Sequence, residues 1–142
     1  MWGPRGDVIF FDARYRDEET GPQTYMVVLT GQGRETIRVA GKTSGISTVP
    51  LENAVLYAKS DQGVFLYNIS AKKEDLLFAA KGAFRPVMSY EGRFVAYSDI
   101  VGCVYVAKAD GTERRKVFES PGAAMGRRFY WLHQGHRGQP SK

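Results

Sequence analysis

Residues 85–118 read RPVMSYEGRFVAYSDIVGCVYVAKADGTERRKVF, four short apolar runs parted by turn signals. Arg93-Phe94-Val95-Ala96-Tyr97 follows the turn Tyr90-Glu91-Gly92 and half-alternates, as a strand does. Cys103 to Ala107 reads as a second strand, after a glycine-containing loop. Asp110-Gly111 is a two-residue hairpin signal, because both central positions of a type I′ turn need positive φ. Arg115 to Phe118 follows as another strand, and Pro86 to Ser89 precedes the set. Four successive strands joined by tight turns predict an antiparallel meander.

Weaker copies flank this stretch, and a repeat decides the fold before any other signal does. Forty residues earlier, Val55 and Tyr57 stand where Val95 and Tyr97 stand, and Val64, Phe65 and Leu66 stand where Val104, Tyr105 and Val106 stand. Leu77 and Phe78 likewise match Val117 and Phe118, and Gly45 to Val49 supplies the first strand. A further forty back, Tyr25, Met26 and Ile37 fall into line, whereas Val8-Ile9-Phe10-Phe11 matches Val55 onward only at an offset of 47. The difference is taken up by the polar stretch RYRDEETGPQ at 14–23, a surface loop. This first unit lacks a leading strand, since only seven residues precede Val8. Forward of the template, Pro121, Arg128 and Phe129 repeat Pro86, Arg93 and Phe94 at an offset of 35. The expected units are therefore 7–40, 45–80, 85–118 and a partial one at 121–132, in a single all-β domain, followed by a flexible basic tail at 133–142. Helical signal is confined to one turn's worth of sequence from Ser70 to Asp75.

Composition agrees with that class. The 142 residues are 43% apolar, 25% charged and 13% aromatic, which suits a soluble, β-rich globular domain. No window approaches the ~20 apolar residues of a membrane-spanning helix. With no signal peptide visible, a cytoplasmic location is expected of the chain as written, and a periplasmic or secreted one if it is part of something longer. The single cysteine, Cys103, lies in an apolar run and reads as a small buried hydrophobe. The net charge of +5 is carried by residues 113–142, where 7 basic residues face 2 acidic ones, while residues 1–112 balance at 13 of each.

Four-stranded units of about forty residues are the blades of β-propellers. Residues 86–98, PVMSYEGRFVAYS, and 104–112, VYVAKADGT, resemble the blade repeat of TolB-like propellers, with Met88 where Trp is common and Tyr90-Glu91 in place of Pro-Asp. That resemblance implies a partial propeller of about three blades plus part of a fourth. A ring needs at least four, so it also implies that two chains complete a ring, that a remainder is missing, or that the strands form an open stack with exposed edges; self-association or a missing remainder is favoured over a closed monomer. Such propellers serve as protein-binding scaffolds, peptidase gates and platforms of polysaccharide lyases, so the fold does not choose among them.

Candidate sites follow from the repeat. Asp12, Asp61 and Asp99 each come just after the second strand of a unit, and with Arg85 and Tyr90 they form the expected ligand-binding loop face; the bland alternative is that Asp starts turns. Arg114, Arg115 and Lys116, with Arg127 and Arg128, make a basic patch beside Tyr130-Trp131, suited to an acidic partner more than to nucleic acid. Ala40-Gly41-Lys42-Thr43-Ser44 resembles the end of a phosphate loop but has Thr36 where the first glycine belongs, and Gly45 and Pro50 oppose the helix that should follow. His133 and His136 fall short of a zinc set. No catalytic constellation, metal site or cofactor is expected. The expected function is a non-enzymatic module that binds a protein or carbohydrate through its loops; the alternatives are the propeller portion of a larger enzyme and an electrostatic binder acting through the basic C-terminal segment.

Overall fold

The computed structural model describes residues 1–3, 6–13, 23–30, 33–41 and 43–119. The partial unit at 121–132, the tail at 133–142 and Arg127, Arg128, His133 and His136 lie outside the described residues. Among the described residues all regular structure is strand, in three separate antiparallel sheets. The first holds β1 (Val8–Ala13), β2 (Gln23–Thr30) and β3 (Gly33–Gly41). The second is the meander β4 (Thr43–Thr48), β5 (Ala54–Lys59), β6 (Gly63–Asn68) and β7 (Lys73–Ala79). The third repeats it with β8 (Phe84–Met88), β9 (Phe94–Ser98), β10 (Val104–Lys108) and β11 (Arg115–Phe118).

The sheets stack face to face, with a core in each seam. Between the first and second sheets lie Val8, Phe10 and Met26 against Val55, Tyr57, Phe65 and Tyr67. Between the second and third lie Ala54, Leu56, Val64 and Phe78 against Met88, Val95, Tyr97 and Ala107. Strand alternation sends odd and even positions to opposite faces, so β5 serves both seams: Val55 and Tyr57 face one, Ala54, Leu56 and Ala58 the other. All five are buried, which is why AVLYA reads as a continuous apolar run. Fully burying each large side chain of this kind is worth about 1.5–3 kcal/mol. The sheets meet chiefly through their leading strands, β8 lying against β4 and β5, and β4 against β1.

Several expectations are corrected. Residues 1–3 occupy the leading-strand position of the first unit: Trp2 bridges Ile9, the Met1 amino group donates to the Phe10 carbonyl at 2.7 Å, and the Gly3 amide donates to the Val8 carbonyl at 2.7 Å. The offset of 47 is out by one residue. It equates Val8 and Phe10, which face the second sheet, with Val55 and Tyr57, which face the first; a slip of one residue reverses every side chain. The cross-strand aromatic pairs fix the true match, since Phe11–Tyr25, Tyr57–Phe65 and Tyr97–Tyr105 are stacked partners at 5.5, 6.2 and 5.4 Å between ring centroids. Phe11 therefore stands for Tyr57. The stretch from Ser70 to Asp75 makes no helical turn; Lys73 enters β7 opposite Asn68.

The Asp110-Gly111 hairpin is a wider turn than type I′. Gly111 has positive φ, 84°, and Glu113 follows at 52°, whereas Asp110 does not; the Gly111 amide donates to the Lys108 carbonyl at 2.8 Å, and the Lys108 amide donates to the Thr112 carbonyl at 2.9 Å. The Asp110 carboxylate accepts from the Thr112 amide and hydroxyl at 2.9 and 2.6 Å, an Asx-type closure in which Asp110 keeps ordinary φ and the left-handed positions fall at Gly111 and Glu113.

Candidate functional site

The second and third leading strands share a bulge at the same repeat position. In β4 the pairing with β5 is interrupted between Ser44 and Ser47, and in β8 the pairing with β9 is interrupted between Phe84 and Val87. Pro86 sits in the second interruption, where a residue without an amide proton is tolerated. Each bulge opens with a left-handed residue at the same repeat position, Gly45 at φ 59° and Arg85 at φ 48°. Glycine takes that conformation at no cost, whereas a residue with a Cβ loses about 1–2 kcal/mol. The two bulges also touch. A Cβ built on Gly45 would lie 2.5 Å from Arg85 Cγ, so glycine is what lets β8 approach, and the Ser47 hydroxyl donates to the Pro86 carbonyl at 2.8 Å. The Arg85 guanidinium lies 5.4 Å from the Phe84 ring centroid. Beside Gly45, the buried Ser44 Oγ has no hydrogen-bond partner among the described residues.

The predicted loop face is divided by this geometry. Phe84 pairs with Ser98 and Thr43 with Lys59, so Arg85 lies at the same end of the sheets as the β5–β6 and β9–β10 connections, which hold Asp61 and Asp99. Asp12, opposite Thr24, is the last residue but one of β1; by the match of Phe11 with Tyr57 and Tyr97 it stands where Ala58 and Ser98 stand, ahead of the connections that hold Asp61 and Asp99. Tyr90 belongs to the β8–β9 turn and so lies at the opposite end, the end where an open cleft is lined by Arg93, Phe94, Lys108, Ala109 and Asp110.

The carboxylates differ in what occupies them. Asp61 is exposed. Asp99 folds its own loop: Oδ1 accepts from the amides of Val101 and Cys103 at 3.1 and 2.9 Å, and Oδ2 accepts from the Tyr105 hydroxyl at 3.2 Å. Cys103 is buried behind that loop. The basic run of β11 is parted by strand alternation. Arg114 reaches back to the second sheet, donating to the Ala79 carbonyl at 2.7 Å, with its guanidinium 5.7 and 5.9 Å from the Phe78 and Tyr97 rings. Arg115 lies opposite Val106, while Lys116 lies opposite Tyr105 and within 3.6 Å of Glu119. Among the described residues no group of three or more His, Cys, Asp or Glu side chains could hold a metal ion.

One polar cluster went unforeseen in the sequence. The buried Tyr57 hydroxyl donates to Glu74 Oε2, and Lys59 Nζ lies 2.6 Å from Glu74 Oε1 and 4.5 Å from the Phe65 ring centroid. Burial first, and then the Glu74 carboxylate, push the Tyr57 hydroxyl far above its ordinary pKa. The signal was the repeat itself: Tyr57 and Glu74 stand forty residues before Tyr97 and Arg114, so one pair of positions carries opposite charges in the two units. Comparison with protein-family models and with curated proteins gives no match.

Proposed function

We propose that the chain is a β-propeller-like binding module, its sheets acting as blades and its ligand a protein or carbohydrate held at the end where Arg85 lies. The observation that carries this reading is the conformation of Arg85. An arginine holds a left-handed position that the preceding unit gives to glycine, and strain of this kind is kept where a side chain has to be aimed. Groups able to recognise hydroxyls and carboxylates are the guanidinium itself and, at the same end of the sheets, the exposed Asp61.

The test uses Arg85→Gly, which keeps the backbone conformation and removes the guanidinium. Panels of neutral and acidic oligosaccharides and of peptides are titrated into the isotopically labelled chain, and amide shifts are mapped. Binding that perturbs Gly45, Asp61 and Arg85, and is lost in Arg85→Gly, is expected. Binding confined to the Tyr90 and Lys108 end, or unaffected by the substitution, overturns the assignment. Turnover of any panel member by the purified chain overturns the non-enzymatic reading.

A further inference from the structure

Asp110-Gly111 turns the β10–β11 hairpin, and it is also a chemically labile pair. Asp110 is the one aspartate of the chain that precedes a glycine, and the asparagines Asn53 and Asn68 precede Ala54 and Ile69. The main-chain nitrogen that follows an aspartate can attack the side-chain carboxyl carbon. A glycine there presents no Cβ to hinder the attack and leaves the backbone free to turn into it. The Asp110 side chain is exposed, so water reaches the group that would react.

The closed hairpin opposes that reaction at both partners. The nucleophile is held, because the Gly111 amide donates to the Lys108 carbonyl at 2.8 Å. The electrophile is held as well, since a single oxygen, Asp110 Oδ1, accepts from the Thr112 amide at 2.9 Å and from its hydroxyl at 2.6 Å. The hydroxyl bond above all keeps the Asp110 carboxyl ionised and below its usual pKa range, whereas only the neutral acid can lose its hydroxyl as water. All three bonds lie within one hairpin. Its second strand, β11, is exposed along its length and pairs, among the described residues, with β10 alone, so opening of this hairpin releases nucleophile and electrophile together.

We infer that Asp110 is a modification site, converted to isoaspartate when the β10–β11 hairpin opens and guarded by Thr112 while it is closed. The Gly111 nitrogen forms a bond to Asp110 Cγ; its proton and the acid's hydroxyl leave as water, and a cyclic imide results. Water then opens the imide. Attack at Cγ restores aspartate, whereas attack at the Asp110 main-chain carbonyl leaves Gly111 joined through the side chain and the α-carboxylate free. The new linkage lengthens the backbone by a carbon at a turn with no room for it, since a Cβ on Gly111 would already lie 2.5 Å from Phe78 Cβ. The same hairpin carries Arg114 to the Ala79 carbonyl and the Phe78 ring, so the modified turn no longer seats on the second sheet. The freed α-carboxylate is a methyl acceptor for repair transferases that use S-adenosylmethionine. None of this depends on the ligand proposed at Arg85.

The test incubates the full chain for weeks at neutral pH and body temperature, both native and in guanidinium chloride. Isoaspartate is counted by methyl transfer from labelled S-adenosylmethionine and located by electron-transfer fragmentation of the digested chain. In denaturant it is expected at Asp110 before any other position, and is lost in Asp110→Glu. The native chain is expected to form it at the same residue several-fold more slowly. Thr112→Val, which lacks the hydroxyl bond, is expected to react several-fold faster than the unaltered chain when native and at an equal rate when denatured. Thr112→Ser keeps the hydroxyl and is expected to react at the unaltered rate. Isoaspartate that gathers elsewhere first, or that is missing from Asp110 in denaturant, overturns the site. A native chain as fast as the denatured one, or Thr112→Val no faster than Thr112→Ser, overturns the guard. If circular dichroism shows Thr112→Val unfolded, the native and denatured rates of the unaltered chain and of Thr112→Ser still decide.

Discussion

Arg85 and Tyr57 show how much one side chain can hold against its own preference. Arg85 carries a Cβ in a region where glycine is at ease, so replacing it by glycine and by alanine removes the same guanidinium but not the same strain. Arg85→Gly is expected to be more stable than Arg85→Ala by about 1 kcal/mol, read from paired thermal melts, because only alanine retains the left-handed cost. Tyr57 gives a dependence on pH. Its folded pKa is raised above the ordinary 10.0, so the stability that goes with its protonated form is complete below that value. As pH rises past it, the unfolded chain releases a proton that the folded chain retains, and stability falls by up to about 1.4 kcal/mol per pH unit for this group. Tyr57→Phe is expected to lower that alkaline slope without abolishing it, because Tyr67, Tyr97 and Tyr105 are raised as well. Denaturant midpoints collected from pH 8 upward check it.

At the scale of the element, the hairpins are where local chemistry and packing between sheets meet. Gly111 turns the β10–β11 hairpin at φ 84°, and a Cβ there would lie 2.5 Å from Phe78 Cβ in the second sheet. Gly82 has nearly the same φ, 81°, with nothing within 4 Å. Both alanine variants bear the conformational cost, but only Gly111→Ala forces the seam apart, so it is expected to lose at least 1 kcal/mol more than Gly82→Ala in chemical denaturation. The same distinction explains what could be read from the sequence. The meanders were legible because turns such as Tyr90-Glu91-Gly92 and Asp110-Gly111 are local, and because an offset of forty superposes Val55 and Tyr57 on Val95 and Tyr97. The first unit was misaligned because Val8-Ile9-Phe10-Phe11 is apolar at every position and carries no alternation to show its faces; only pairing across strands, Phe11 with Tyr25, resolves it. At the candidate site, Asp61, Asp99 and Arg85 lie at one end of the sheets, since a meander's connections alternate between ends. Tyr90 was grouped with them although it lies one connection away. The left-handed Arg85 left no mark in its residue type, for only its repeat partner Gly45 betrays the backbone it needs.

At the scale of the whole molecule, the second of the three described sheets has another described sheet against each of its faces. Its inner strands are paired on both edges as well, β5 with β4 and β6, and β6 with β5 and β7. The outermost strands differ: β11 is exposed along its whole length and, among the described residues, pairs with β10 alone. Amide exchange followed by NMR is therefore expected to be slowest at Val55 to Ala58 and fastest at Arg115 to Phe118, by several orders of magnitude. Uniform protection across the three sheets would contradict it. The double use of β5 has a thermodynamic consequence. Each meander forms through contacts between sequence neighbours, and taken alone the three could melt in three steps. A strand that places Val55 and Tyr57 in one core and Leu56 and Ala58 in the other cannot leave its sheet without opening both. The repeats are thereby bound into one cooperative unit, and calorimetry should record a single heat-absorption peak whose van't Hoff and measured enthalpies agree.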